Sequence, residues 1–158
     1  MGLGPTVSAR SGSLGDPERA GIPVSAVELT AEQAWFLADR LGAGGFPWVL
    51  AITQPYSDPA AKNGFDADQV TALTRMGVLS ADGSVHPAVA QWIRAVCRPR
   101  RWLELRWVSG AGAMLRGILV RSGDLTVAVL RSEHLMTCTE LTVASPDALV
   151  PVLTAGLS

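Results

Sequence analysis

Two histidines, His86 and His134, and two cysteines, Cys97 and Cys138, are the residues best suited to metal or nucleophilic chemistry in this 158-residue chain. Their spacing does not assemble a site. His86 directly precedes Pro87 at a helix start, where a capping or exposed position is expected. His134 and Cys138 share parity on one predicted strand, but two groups fall short of the three or four ligands a zinc ion takes. Cys97 lies in an apolar helical run and Cys138 in a strand, and both read as buried thiols rather than a disulfide. The sequence holds no Gly-x-Ser-x-Gly elbow. Gly42-Ala43-Gly44-Gly45 follows a helix rather than a strand, the wrong setting for a dinucleotide. Gly110-Ala111-Gly112 falls between antiparallel strands. The reading is therefore of a non-enzyme, with no catalytic residue, metal or cofactor.

The elements that carry these residues centre on Trp102 to Val143, which reads as four successive strands. Along Trp102–Val108, Leu103, Leu105 and Trp107 share one face and Glu104 and Arg106 the other, the alternation of a half-buried strand. Ser109-Gly110-Ala111-Gly112 breaks the run. Met114 to Arg121 follows, with Met114, Ile118 and Val120 on one side and Arg116 interrupting it. Ser122-Gly123-Asp124 is a hairpin turn. Leu125 to Arg131 is almost wholly apolar, as in a strand paired on both edges and buried on both faces. Leu135 to Val143 is the fourth strand. Upstream, Val24–Leu29 is a short strand, and Thr30 with Gln33 forms a capping box for a helix ending at Gly42. Phe46–Ile52 fits a strand or a buried helical turn. Asp58-Pro59 opens a helix running to Met76, weakened or split at Asn63-Gly64. Pro87 opens another, with Val89, Trp92, Ile93, Val96 and Cys97 inward. Ser145-Pro146-Asp147 starts a last helix. The expected architecture is α+β, an antiparallel β-meander covered by helices. Residues 1–23 read as a flexible tail and 24–158 as one domain.

The formal net charge of −1 offers nothing global to nucleic acid or an anionic membrane. No apolar run reaches the length of a membrane span and no signal-peptide pattern opens the chain, so a cytoplasmic protein without membrane insertion is expected. One nucleic-acid reading is specific: helices at Asp66–Met76 and Pro87–Cys97 followed by strands to Val120 match the order of a winged helix, with Arg94, Arg98, Arg100, Arg101 and Arg106 near it. Trp92 and Ile93 in the recognition-helix slot argue against it. Five tryptophans stand beside one Tyr and three Phe. Most read as core, with one or two on a partner-facing patch.

The string Val27-Glu28-Leu29-Thr30-Ala31-Glu32-Gln33-Ala34-Trp35-Phe36-Leu37-Ala38-Asp39-Arg40-Leu41-Gly42, together with Phe46-Pro47-Trp48-Val49-Leu50, Leu73-Thr74-Arg75-Met76-Gly77, Trp102-Leu103-Glu104-Leu105-Arg106 and Ala148-Leu149-Val150-Pro151-Val152-Leu153, resembles the EspG family. These are cytosolic chaperones of mycobacterial type VII (ESX) secretion. The resemblance runs from Val27 to Ser158 and covers only the N-terminal half of a typical member. It implies an α+β fold around a large antiparallel sheet, no catalysis, and binding of the apolar helical tip of PPE proteins in PE–PPE heterodimers. Three features depart from the family pattern: Gly110-Ala111-Gly112-Ala113 where Pro and Asp are usual, Cys138 where a Phe is usual, and Gly64 within a helix.

The partner-binding residues are placed on the turn after Val108 and the strand beyond it: Gly110, Ala111, Gly112, Ala113, Met114, Leu115 and Arg116. A glycine-rich hairpin tip can adapt to a partner while its sheet stays rigid. A half-length chain also leaves two further expectations. It can self-associate through an uncovered sheet or helix face, or be a non-functional chaperone fragment.

Overall fold

A computed structural model describes residues 25–142. The tail expected at 1–23, the start and end of the strands reaching Val24 and Val143, and the last helix lie outside the described residues. Strand β1 (Ala26–Thr30) buries Val27 and Leu29 by alternation. Its last residue turns the chain into helix α1 (Ala31–Arg40). Thr30 Oγ1 accepts from the Gln33 N–H at 3.0 Å, and Gln33 Oε1 accepts from the Thr30 N–H at 2.9 Å, so the expected capping box is present. At the other end Gly42 takes a positive φ of 61°. The Gly42 and Ala43 N–H groups donate to Asp39 and Ala38 carbonyls, closing the helix as a Schellman motif.

Phe46–Ile52 resolves to a single 3-10 turn, Trp48–Leu50, with Val49 and Leu50 buried. Asp58 caps a second short turn, Pro59–Ala61, through its Oδ1 and the Ala60 N–H. That turn runs directly into helix α2 (Lys62–Arg75), which continues unbroken through Gly64. Tyr56 and Phe65 meet the Trp35 ring edge-on, at centroid distances of 5.6 and 5.9 Å, and so join the loop and α2 to α1. Helix α3 (Pro87–Cys97) begins with His86, whose Nδ1 accepts from the Ala88 N–H, and with Pro87 at its first position. Val89, Trp92, Ile93 and Val96 are fully buried along it.

Strands β2 (Arg101–Val108), β3 (Met114–Ser122), β4 (Leu125–Ser132) and β5 (Leu135–Leu141) form the expected meander. Strand β1 pairs outside β5, giving a five-stranded antiparallel sheet ordered β1-β5-β4-β3-β2. Strand β4 is central and buried on both faces through Thr126–Val129, as its apolar run requires.

The cross-strand register fixes which residues share a face. Val27, Leu29, Ile118, Val120, Val127, Val129, Met136 and Cys138 all point toward the helices and are buried. Trp92 on α3 reaches the same side, its Nε1–H donating to Glu140 Oε1 at 2.8 Å. The same register corrects the reading of β2. Trp102 pairs with Val120 and Glu104 with Ile118, so Trp102, Glu104, Arg106 and Val108 are the residues on the helix side. Leu103, Leu105 and Trp107 look away from the helices. The alternation is real, but β2 is an edge strand at the margin of the helix layer, and seven of its eight residues are exposed.

The winged-helix order does not survive as architecture. Helix α3, in the recognition slot, is buried along its apolar side, and the β2–β3 pair continues into three further strands.

Candidate partner-binding site

The hairpin joining β2 to β3 is closed by its own backbone. The Ser109 N–H donates to Ala113 O at 2.8 Å, the Gly112 N–H to Ser109 O at 2.9 Å, and the Ala113 N–H to Ser109 Oγ at 3.2 Å. Gly112 sits at φ 85°, a conformation that favours glycine, which is why this turn needs one there. Gly110, Ala111, Gly112 and Ala113 are exposed at the tip, and Met114 is 43% exposed beside them. Leu115 and Arg116 are half-buried.

These seven residues are contiguous in the chain but divide between faces. Met114 and Arg116 lie on the helix side with Val108 and Arg106, while Leu115 lies on the far side opposite Trp107. Arg116 is flanked directly by Arg106 on β2 and by Arg131 on β4. Like charges placed directly opposite on neighbouring strands are destabilising. Two of the three have partners that offset this. Arg106 lies 3.6 Å from Glu104. Arg131 Nη1 donates to the Leu50 and Ala51 carbonyls, both at 2.6 Å, and its Nε donates to Glu133 O. Burial, and then the charge of Arg116, lower the Arg131 pKa from its ordinary value.

Arg131 thereby ties the Trp48–Leu50 turn to the sheet beside β2 and β3. The turn displays Trp48 at 91% exposure. Trp102 (56%) and Trp107 (47%) are exposed on β2, and Val108 beside the hairpin is exposed as well. Most tryptophans are therefore not core. Only Trp92 is fully buried, with Trp35 half-buried. Sequence reasoning missed Trp48 as a surface residue. The Ala43-Gly44-Gly45 and Gln54-Pro55 segments flanking its run were the signal that a loop, not a core element, would carry it.

The chemistry-bearing residues do not gather. His134 sits exposed in the β4–β5 turn, and Cys138 is buried against the helices. Burial pushes both the Cys97 and Cys138 thiols up to about 12, which suppresses thiolate reactivity. Among the described residues no three His, Cys, Asp or Glu side chains are placed to hold a metal ion. Among the same residues no helix is long and apolar enough to cross a membrane.

A helix-backed five-stranded antiparallel sheet, with exposed tryptophans and a glycine-rich hairpin at one edge, defines an α+β protein. Residues 30–158 match the EspG family model, and the chain belongs to that family. It is 57% identical over 134 residues to the ESX-3 secretion-associated protein EspG3 of Mycolicibacterium smegmatis, covering 85% of this chain and 46% of that one. It is 48% identical over 149 residues to EspG3 of Mycobacterium tuberculosis, covering 85% and 50%. The chain thus spans about half the length of the curated relatives it matches. The fold is similar to that of about half of the M. tuberculosis type VII secretion system chaperone EspG5, solved in complex with a PE25–PPE41 dimer. The TM-score is 0.61 at 17% identity, over 84% of this chain and 51% of that one.

Proposed function

We propose that this chain acts in type VII (ESX) secretion as a chaperone, or the recognition-bearing half of one, that holds the apolar helical tip of a PPE protein in a PE–PPE heterodimer before export. It would do so in the cytoplasm. Family membership and the names of the ESX-3 relatives support the pathway. The observation that carries the reading is local: Trp107, Val108 and Met114 expose apolar surface around an adaptable hairpin at the open edge of a rigid sheet. Exposed aromatic and Met side chains supply binding energy at such tips. Arg116, in its row of like charges, gains from any partner that brings carbonyl oxygens, as the C-terminal end of a helix does.

The test is a titration of a PE–PPE heterodimer, from a genome that encodes this chain, against wild type and Met114→Asp. Because Met114 is exposed, the substitution leaves the melting temperature within a few degrees. It weakens binding about tenfold or more, the loss expected for an apolar anchor at an interface centre. Unchanged affinity would remove the hairpin from the site.

A further inference from the structure

Strand β2 has the features that natural proteins usually remove from a sheet edge. It is eight residues long, pairs with β3 in unbroken register without a bulge, and contains neither proline nor lysine. Among the described residues no strand lies along its outer side. Trp102 and Val108 project from one face, and Leu103 (54% exposed) and Trp107 from the other. Long, regular apolar edges of this kind pair with other chains.

We propose that β2 pairs with β2 of a second copy of this chain, antiparallel and centred on Leu105, joining two sheets into one. The sequence Arg101-Trp102-Leu103-Glu104-Leu105-Arg106-Trp107-Val108 is self-complementary about that centre. Glu104 then stands opposite Arg106 of the second copy, and Arg106 opposite Glu104 of the second copy. Leu103 meets Trp107 and Trp102 meets Val108, each from the other copy. Leu105 meets its own counterpart. Directly opposed residues in an antiparallel pair share a face, and this register keeps the rule: charges on the helix side, leucines and Trp107 on the other. Opposite charges and aromatic–aliphatic pairs set across strands are the stabilising combinations.

The other edge of the sheet shows the contrast. Strand β1 has five residues, and the same operation about its centre would set Glu28 against Glu28. Of the two sheet edges among the described residues, only β2 is complementary to itself. Trp107 and Val108 lie both in the paired segment and beside the hairpin of the proposed client site, so the association is tested with this chain alone, no PE–PPE pair being present.

The experiment is sedimentation of the full 158-residue chain across a micromolar to submillimolar range. The expected result is a concentration-dependent dimer. Arg106→Glu puts like charges opposite each other twice and weakens the dimer about tenfold or more, as does Glu104→Arg. The double variant E104R/R106E restores wild-type association, which a merely structural role for either residue would not. Register is read by cross-linking under a mild thiol oxidant. Leu105→Cys links the two copies. Leu103→Cys does not, because its copies are about 13 Å apart in this register. The native thiols, depleted in thiolate by burial, do not compete. A chain that stays monomeric throughout overturns the proposal. So does a dimer indifferent to R106E, or one linked equally well at either position.

Discussion

Arg131 donates to three backbone carbonyls, and two of them belong to residues about eighty positions upstream. Hydrogen bonds from a charged donor are worth more than neutral ones, and carbonyls left without a partner cost more still. Arg131→Met should therefore lower unfolding free energy by about 2 kcal/mol in a denaturant titration, with the site only partly buried. Amide exchange should also rise selectively around Trp48–Ala51, the segment that Arg131 pins. His86 makes a different kind of test. Burial lowers its pKa below the ordinary histidine value, and Nδ1 must stay unprotonated to accept from Ala88. Its stabilising contribution is full above the unfolded pKa of about 6.5 and is lost as pH falls through that value toward the folded one. His86→Asn keeps a capping oxygen without a titration. The variant should lose less stability than wild type between pH 7.5 and 5.5, measured by unfolding at each pH, and an identical loss would contradict the assignment. His86 as a cap and the Thr30–Gln33 box were legible in the sequence because both partners lie within three residues. Arg131 was not, because its partners are set by the fold.

Two glycines separate what a helix and a sheet require of the chain. Gly64 lies in α2 with open space around the position of a Cβ and no positive φ. Its sequence signal, a helix break, was overridden by the capped turn before it and by the packing of Phe65 and Leu73 after it. Gly64→Ala should stabilise by about 0.5–1 kcal/mol, read as a higher melting temperature, and a lower one would mean that the helix starts later. Gly117 is the opposite case. A Cβ there would meet Leu130 Cδ2 at 2.7 Å and Val129 O at 3.0 Å, the second of them backbone that cannot swing aside. Gly117→Ala should cost about 1–3 kcal/mol by the same measurement. Strand existence and order in the meander were readable from period-two alternation and turn residues. The sense of β2 was not, because alternation gives two faces without saying which one the helices cover. Only the pairing of Trp102 with Val120 decides it.

As a whole, the described residues close one core between three helices and one face of the sheet, to which every helix and every strand but β2 contributes. Half the length of the curated relatives therefore suffices to bury Trp92, Leu37, Ile93 and Met136 completely. What it leaves open is concentrated on one side: β2, its hairpin and the Trp48 turn. The hairpin was legible as a candidate site from its glycines and from family resemblance. Trp48, Trp102 and Trp107 were not, since a tryptophan reads as core until a fold places it at an edge. Trp48→Ala should leave stability within about 0.5 kcal/mol, since a side chain this exposed buries almost nothing. If the turn belongs to the recognition surface, the same variant lowers client affinity severalfold in the heterodimer titration. The central claim, that this chain carries enough of a chaperone to recognise its client, is tested most directly by co-expression. The tagged chain and, as control, a full-length EspG relative are each expressed with the same PE–PPE pair, and the purified complexes are compared. The account predicts stoichiometric capture of the pair by both. Capture by the full-length relative alone would contradict it.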